Sequence, residues 1–157
     1  MKTARMIAAA IVAMSVVPAT TASAAGNDYC MAVITSGQNW CAATEAELDA
    51  IRAQVFASRS ISPTATSHLV DLYDAANRTG AYYALYGPAC DTNPDVDGSY
   101  TLASSWNDRI SSFQGFGNCE TRLYQNGDFT GNTYGPVFAT DYVGATMNDE
   151  ASAVRVY

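Results

Sequence analysis

Two short stretches hold the residues best suited to chemistry in this chain: WNDRISSF at Trp106–Phe113 and MNDEASAV at Met147–Val154. In each, an aspartate is followed three residues later by a serine, Asp108 by Ser111 and Asp149 by Ser152. An Asp-x-x-Ser turn brings a carboxylate, a hydroxyl and an intervening backbone carbonyl towards one point. These are hard oxygen donors, and calcium takes six to eight of them at roughly 2.3–2.6 Å with tolerance for irregular geometry. The same residues are also ordinary turn formers that make Asx and Ser turns without any metal. One hexapeptide cannot decide between the two; its recurrence in one short chain asks for an explanation.

Other chemistry is sparse. His68 is the one histidine and heads a strand-like stretch, where a structural role is expected. With no Gly-x-Ser-x-Gly beside it, a hydrolytic triad has no material, and no enzyme activity is expected. The four cysteines include no Cys-x-x-Cys, so zinc is not indicated. NPDVDG (Asn93–Gly98) places oxygen side chains at alternate positions before a glycine, as an EF-hand loop begins, but the twelfth position is Ser104 rather than Glu. An acidic surface insertion is the better reading. Trp106, Tyr82, Tyr83, Tyr86 and Phe113 would serve a stacking surface, but at strand spacing they are expected in the core.

The elements that must position these loops begin after a leader. Lys2 and Arg5 precede the apolar run Met6–Val17, Pro18 and ATTASAA. This is the pattern of a secretory signal peptide, residues 1–25, with cleavage expected after Ala24 or Ala25. The remaining residues, about 132, suit one domain with an extension, secreted and extracellular. The whole chain carries a net charge of −7, and losing Lys2 and Arg5 leaves six arginines against fifteen acids. Such a balance argues against nucleic acid, which needs a basic face. No membrane partner is indicated either, and a monomer is expected. Acid excess suits divalent cations, though it also simply keeps a secreted domain soluble.

In an exported chain, an even cysteine count reads as disulfides. Three pairings are possible for Cys30, Cys41, Cys90 and Cys119. Cys30–Cys41 with Cys90–Cys119 is favoured because each bridge stays within one apparent segment. Residues 26–67 form an N-terminal extension and linker. Thr44 and Glu47 make a capping box, and Leu48, Ile51, Val55 and Phe56 recur at helical spacing, which predicts a helix over Thr44–Ala57. SRSISPTATS (Ser58–Ser67) reads as a linker. This stapled helix is expected to pack on the main domain, and a chain starting at Ser67 is expected to fold without it.

From His68 onward, short Tyr-, Val-, Leu- and Phe-rich stretches broken by Gly, Asn and Asp predict antiparallel strands in a sandwich or barrel. An internal repeat organises them. LYDAANRTG (Leu72–Gly80) answers LYQNGDFTG (Leu123–Gly131) at an offset of 51, and the Asn-Asp hexapeptides answer each other at an offset of 41. The first copy (motif one, 68–118) therefore carries about ten more residues than the second (motif two, 119–157), and CDTNPDVDG lies where they fall.

This pattern resembles the βγ-crystallin family, whose Greek-key motif has an aromatic, six residues, a glycine, and later [Asn/Asp]-[Asn/Asp]-x-x-[Ser/Thr]-Ser. Tyr73 and Gly80 fit the first part, as do Tyr124 and Gly131, with Phe129 at the second aromatic position; NDRISS (Asn107–Ser112) fits the signature fully. NDEASA (Asn148–Ala153) departs at Ala153, and Arg78 stands where motif one usually has an aromatic. The resemblance covers residues 70–157. It implies an all-β Greek-key β-sandwich of two motifs, preceded here by the short helical, disulfide-containing segment. It also implies two calcium sites. In one, Asp108, the carbonyl of Arg109 and Ser111 form a half-site. In the other, Asp149, the carbonyl of Glu150 and Ser152 do. Each is completed by a carbonyl from the other motif's first hairpin, Asp74 or Gln125, and by water. A secreted calcium-binding domain, stabilised by its calcium, is the expected function. The alternative is a secreted metalloproteinase inhibitor of the same fold, acting on a secreted protease through Gly87–Tyr100, the long loop held by Cys90.

Overall fold

The computed structural model describes residues 29–58 and 66–157. The expected leader and most of the expected linker lie outside the described residues. The elements run in chain order β1 Tyr29–Val33, β2 Gln38–Ala42, α1 Glu45–Ala57, β3 Ser67–Ala75, β4 Thr79–Gly87 and β5 Gly98–Thr101. Then come β6 Ser112–Gly115, β7 Thr121–Tyr124, β8 Thr133–Val137, β9 Ala139–Thr140 and β10 Ala153–Val156. They form two sheets, one ordered β2-β1-β4-β3-β6-β9 and the other β5-β10-β7-β8.

The repeat explains this order. Motif one supplies β3 to β6 and motif two supplies β7 to β10, and each gives its third strand to the other. β5 pairs antiparallel with β10 in the second sheet, and β9 pairs antiparallel with β6 in the first. Neither motif closes a sheet alone, as two units this short without cores of their own require. The expected two-motif Greek-key sandwich is the observed one.

Between the sheets lies one core, in which Leu69, Leu72, Tyr83, Leu85, Trp106, Ile110, Phe113, Leu123 and Val154 are buried. The aromatic residues weighed as a stacking surface are thus interior: Trp106, Tyr83 and Phe113 are fully buried, and Tyr82 and Tyr86 nearly so. His68 is held structurally, stacked between Tyr86 and Phe116 with its Nε2 2.7 Å from Asp71 Oδ1.

The helix forms where the capping box places it. Thr44 Oγ1 accepts from the Glu47 amide at 3.3 Å, and Glu47 Oε2 accepts from the Thr44 amide at 3.2 Å. Both expected disulfides are present, Cys30–Cys41 and Cys90–Cys119. The sequence reading missed the hairpin β1–β2, which extends the first sheet. β1 runs parallel to β4 with Met31 opposite Ala84 and Val33 opposite Tyr86. Cys30 and Ala32 face the main core, while Met31 and Val33 join Leu48, Tyr82, Ala84 and Tyr86 in a second core on the outer face. Helix α1 covers that face. The boundary near residue 68 is therefore one of sequence repeat, and hydrophobic packing runs across it.

Candidate functional site

The two hairpins that open the motifs share a backbone that the sequence offset of 51 anticipates. Arg78 and Phe129 both take positive φ, 56° and 65°, two residues before Gly80 (83°) and Gly131 (82°). Positive φ is unfavourable for an arginine or a phenylalanine, so surrounding structure must hold it. The Phe129 ring packs edge-on to Tyr124 at 5.6 Å. Arg78 has no ring to offer and is tied instead by an ion pair to Asp141 at 2.9 Å. At Gly80 a Cβ would collide with Asp74 Oδ1, which accepts from the Ala81 amide at 2.9 Å; the glycine is required by this close approach.

The two Asn-Asp loops are equivalent in the same way. Asp108 and Asp149 have φ 59° and 57°, a left-handed conformation that short polar side chains tolerate. Asn107 Nδ2 donates to Asp108 Oδ2 at 2.6 Å, and Asn148 Nδ2 to Asp149 Oδ2 at 2.7 Å. The loops interlock across the pseudo-twofold axis. The Asp108 amide donates to Ala151 O at 3.0 Å, and the Asp149 amide to Ile110 O at 3.2 Å. Each loop also leans on its own motif's hairpin: the Ser111 amide donates to Tyr73 O at 2.8 Å and the Ser152 amide to Tyr124 O at 2.9 Å.

The structure brings these donor groups together as follows. Ser111 Oγ lies on the carbonyl of Asp74, in its own motif, at 3.1 Å. Ser152 Oγ approaches Asp108 Oδ1, in the other motif, at 3.5 Å. The Asp108 carboxylate reaches the other motif's serine, and the reciprocal amide bonds draw the backbone of each aspartate onto the opposite loop. Asp108 thus groups with Ser152, and the amide bond to Ile110 carries Asp149 towards the Ser111 loop. Spacing along the chain gave the residue types but not this exchange.

The surroundings of the two groups differ in charge. Arg109 Nη2 pairs with Asp74 Oδ2 at 3.0 Å, its Nη1 donates to Ser105 O at 2.9 Å, and its guanidinium lies over Trp106 at 4.5 Å. The group near Ser111 therefore contains a fixed cation. On the other side Glu150 Oε2 accepts from Gln125 Nε2 at 3.3 Å, which sets a second carboxylate against the hairpin of motif two. Ser112 also has a role that its counterpart Ala153 lacks. Its hydroxyl donates to Ala75 O at 2.6 Å and accepts from the Arg78 amide at 2.9 Å, bracing the first hairpin.

All these donors are hard oxygens, as calcium requires. Among the described residues no three of His, Cys, Asp and Glu come together as a metal cluster. A cation here would rest on one or two carboxylates with neutral hydroxyls, carbonyls and water, a donor set suited to weak extracellular binding. The inserted segment offers less: Asn93 and Asp95 amides donate to Asp91 Oδ1 and Asn93 Oδ1 at 2.8 and 2.7 Å, so these oxygens are spent on turns.

No family model matches the chain, and no curated protein matches it. Solved structures do resemble it, and they are βγ-crystallin domains. A βγ-crystallin domain from Clostridium beijerinckii, as a double mutant, is 29% identical over 58% of this chain and 98% of its own, with a TM-score of 0.45. A nickel complex of a clostrillin double mutant is 27% identical over 58% of this chain and 99% of its own, with a TM-score of 0.45. A βγ-crystallin domain from Flavobacterium johnsoniae is 25% identical over 57% of this chain and 93% of its own, with a TM-score of 0.43.

Proposed function

We propose that this is a secreted Greek-key module that binds two calcium ions in the paired Asn-Asp loops and is stabilised by them. The observation that supports it most is the interlocked pair of loops, which brings Ser152 within 3.5 Å of Asp108 across the motif boundary. Asp108, Ser152, and the carbonyls of Glu150 and Gln125 would hold one ion. Asp149, Ser111, and the carbonyls of Arg109 and Asp74 would hold the other, with water completing both. Because each ion would touch both motifs, binding would oppose their separation. The disulfides and the leader-like start fit an oxidising, calcium-rich compartment. Calorimetric titration with calcium should give two ions per chain. Absence of any saturable heat would refute the reading.

A second reading, inhibition of a secreted metalloprotease, rests on the insertion between β4 and β5. Cys90–Cys119 anchors it, and Asp97 Oδ2 accepts from the Asp91 amide at 3.2 Å, so it is an exposed yet braced loop, as an inhibitor needs. Incubation with secreted metalloproteases separates the readings, since calcium binding alone predicts no loss of protease activity.

A further inference from the structure

The described arginines divide sharply. Arg52, Arg78 and Arg109 each pair with an aspartate, Asp49, Asp141 and Asp74. Among the described residues, Arg122 and Arg155 have no such pair, although the chain carries fifteen acids. These two stand directly opposite each other, Arg155 on β10 against Arg122 on β7. Their neighbours Leu123 and Val154 point into the core, so by strand alternation both arginines lie on the outer face of the second sheet. Like charges directly opposite across antiparallel strands are destabilising, with Cβ atoms about 4.5–5.5 Å apart. Nothing in the fold of the described residues neutralises them.

What holds them is aromatic. Arg155 lies over Phe129 at 4.6 Å and over Tyr124 at 5.2 Å, and Arg122 lies over Tyr157 at 5.4 Å. Stacking occupies the faces of a guanidinium and leaves its in-plane N–H donors, the edge that matches the oxygens of a phosphate or carboxylate. Arg122 Nε is spent on Gly135 O at 3.2 Å, whereas Arg155 Nε is buried with no acceptor among the described residues. Two phenols complete the cluster, with Tyr124 Oη and Tyr157 Oη 3.0 Å apart. Burial alone would push the Tyr124 phenol up, yet the hydrogen bonds of Tyr157, Arg122 and Arg155 outweigh it and bring it below the ordinary tyrosine value. Tyr157 is pushed the other way, up from the ordinary value by burial and by its bond to Tyr124, so the arginines favour a negative oxygen at Tyr124 alone.

We propose that Arg122 and Arg155, with Tyr124 and Tyr157, form a binding site for one phosphate or sulfate group on the outer face of the second sheet. Arg122 and Tyr157 also line an open groove of about 760 Å³, which gives room for a body attached to that group. Asp91 and Glu120 line the same groove, so a chain of many phosphates would be repelled from it while a single one is not.

The test is calorimetric titration of the full chain with inorganic phosphate, inorganic sulfate and phenyl phosphate, in EDTA so that calcium plays no part. One saturable site for phosphate or sulfate is expected, weakened at least tenfold in Arg122→Gln and in Arg155→Gln and unchanged in Arg78→Gln. Tighter binding of phenyl phosphate than of inorganic phosphate would identify an ester as the ligand class; equal binding would identify the free ion. On the wild-type chain, phosphate should shift the ring resonances of Tyr124 and Tyr157 but not those of Tyr142, so a variant that fails to fold does not hide the answer. No saturable binding, binding that survives both arginine substitutions in folded protein, or ring shifts elsewhere would overturn the proposal.

Discussion

At Asp108 and Asp149 one side chain serves both the backbone and the proposed ion. Each residue sits in the left-handed region, φ 59° and 57°, which asparagine also tolerates and alanine does not. Asp108→Asn should therefore keep the stability of the calcium-free protein while abolishing one of two calcium sites. Asp108→Ala should lose that site and about 1 kcal/mol of calcium-free stability as well. Chemical denaturation in EDTA beside calorimetry in calcium separates the two effects, and the Asp149 pair should behave alike at the other site. Ser111→Ala and Ser152→Ala should weaken binding less, since water can replace a neutral hydroxyl. Arg109 gives an asymmetry: its guanidinium is fixed on Asp74 beside the Ser111 group, whereas Glu150 lies beside the other. Arg109→Ala should tighten the weaker of the two sites, by about threefold to tenfold for a cation several ångströms away. Calorimetry showing equal sites in the wild type, or no change in the variant, would contradict this.

Strand β4 shows what was legible in the sequence and what was not. Its residues Ala81–Gly87 are all buried, because the core lies on one face and α1 with β1 on the other. AYYALY has none of the apolar–polar alternation of a half-exposed strand, and a continuous run signals a strand covered on both sides. Such a run implies a cover, but β1 and β2, at five residues each, are too short to show a period of their own. The helix itself was plain, since capping and periodicity are local. Shortening the chain to begin at Ser67 would uncover the partners of Met31, Val33 and Leu48, all fully buried. At roughly 1.5–3 kcal/mol per side chain, the loss is comparable with the whole stability of a domain. Such a chain should be insoluble or lack a cooperative melt; a melt near that of the full chain would show that the hairpin and helix are an appendage. The covered tyrosines make the same packing visible through pH. Burial raises Tyr86, against the lowering influence of Arg52, to about 12. The folded state then holds a proton that the unfolded chain releases near pH 10, so this contribution is complete below pH 10 and is lost as pH rises towards 12. Denaturation midpoints measured from pH 9 to 12 should fall steadily, and Tyr86→Phe should flatten part of that fall.

For the whole molecule, the offsets of 51 and 41 in the sequence foretold two like units, and the exchange of β5 and β9 is how they complete each other. The offsets revealed which residues are equivalent. They could not reveal that Asp108 and Asp149 donate their amides each to the opposite loop, because a repeat is symmetric whichever way the halves are joined. With the loops interlocked in this way, the proposed calcium binding would belong to the assembled pair of motifs, and its most direct measure is stability. With a dissociation constant of ~10⁻⁴ M, as extracellular modules reach, 1 mM calcium contributes about 1.4 kcal/mol per site. For a domain of this size that is a rise of several degrees in melting temperature. The decisive measurement is thermal unfolding of the wild type and of the Asp108→Asn, Asp149→Asn double variant, each in EDTA and in 1 mM calcium. The wild type should melt several degrees higher in calcium, and the double variant at one temperature in both. A wild type indifferent to calcium, or a double variant that keeps the full shift, would mean that the paired loops are turns and nothing more.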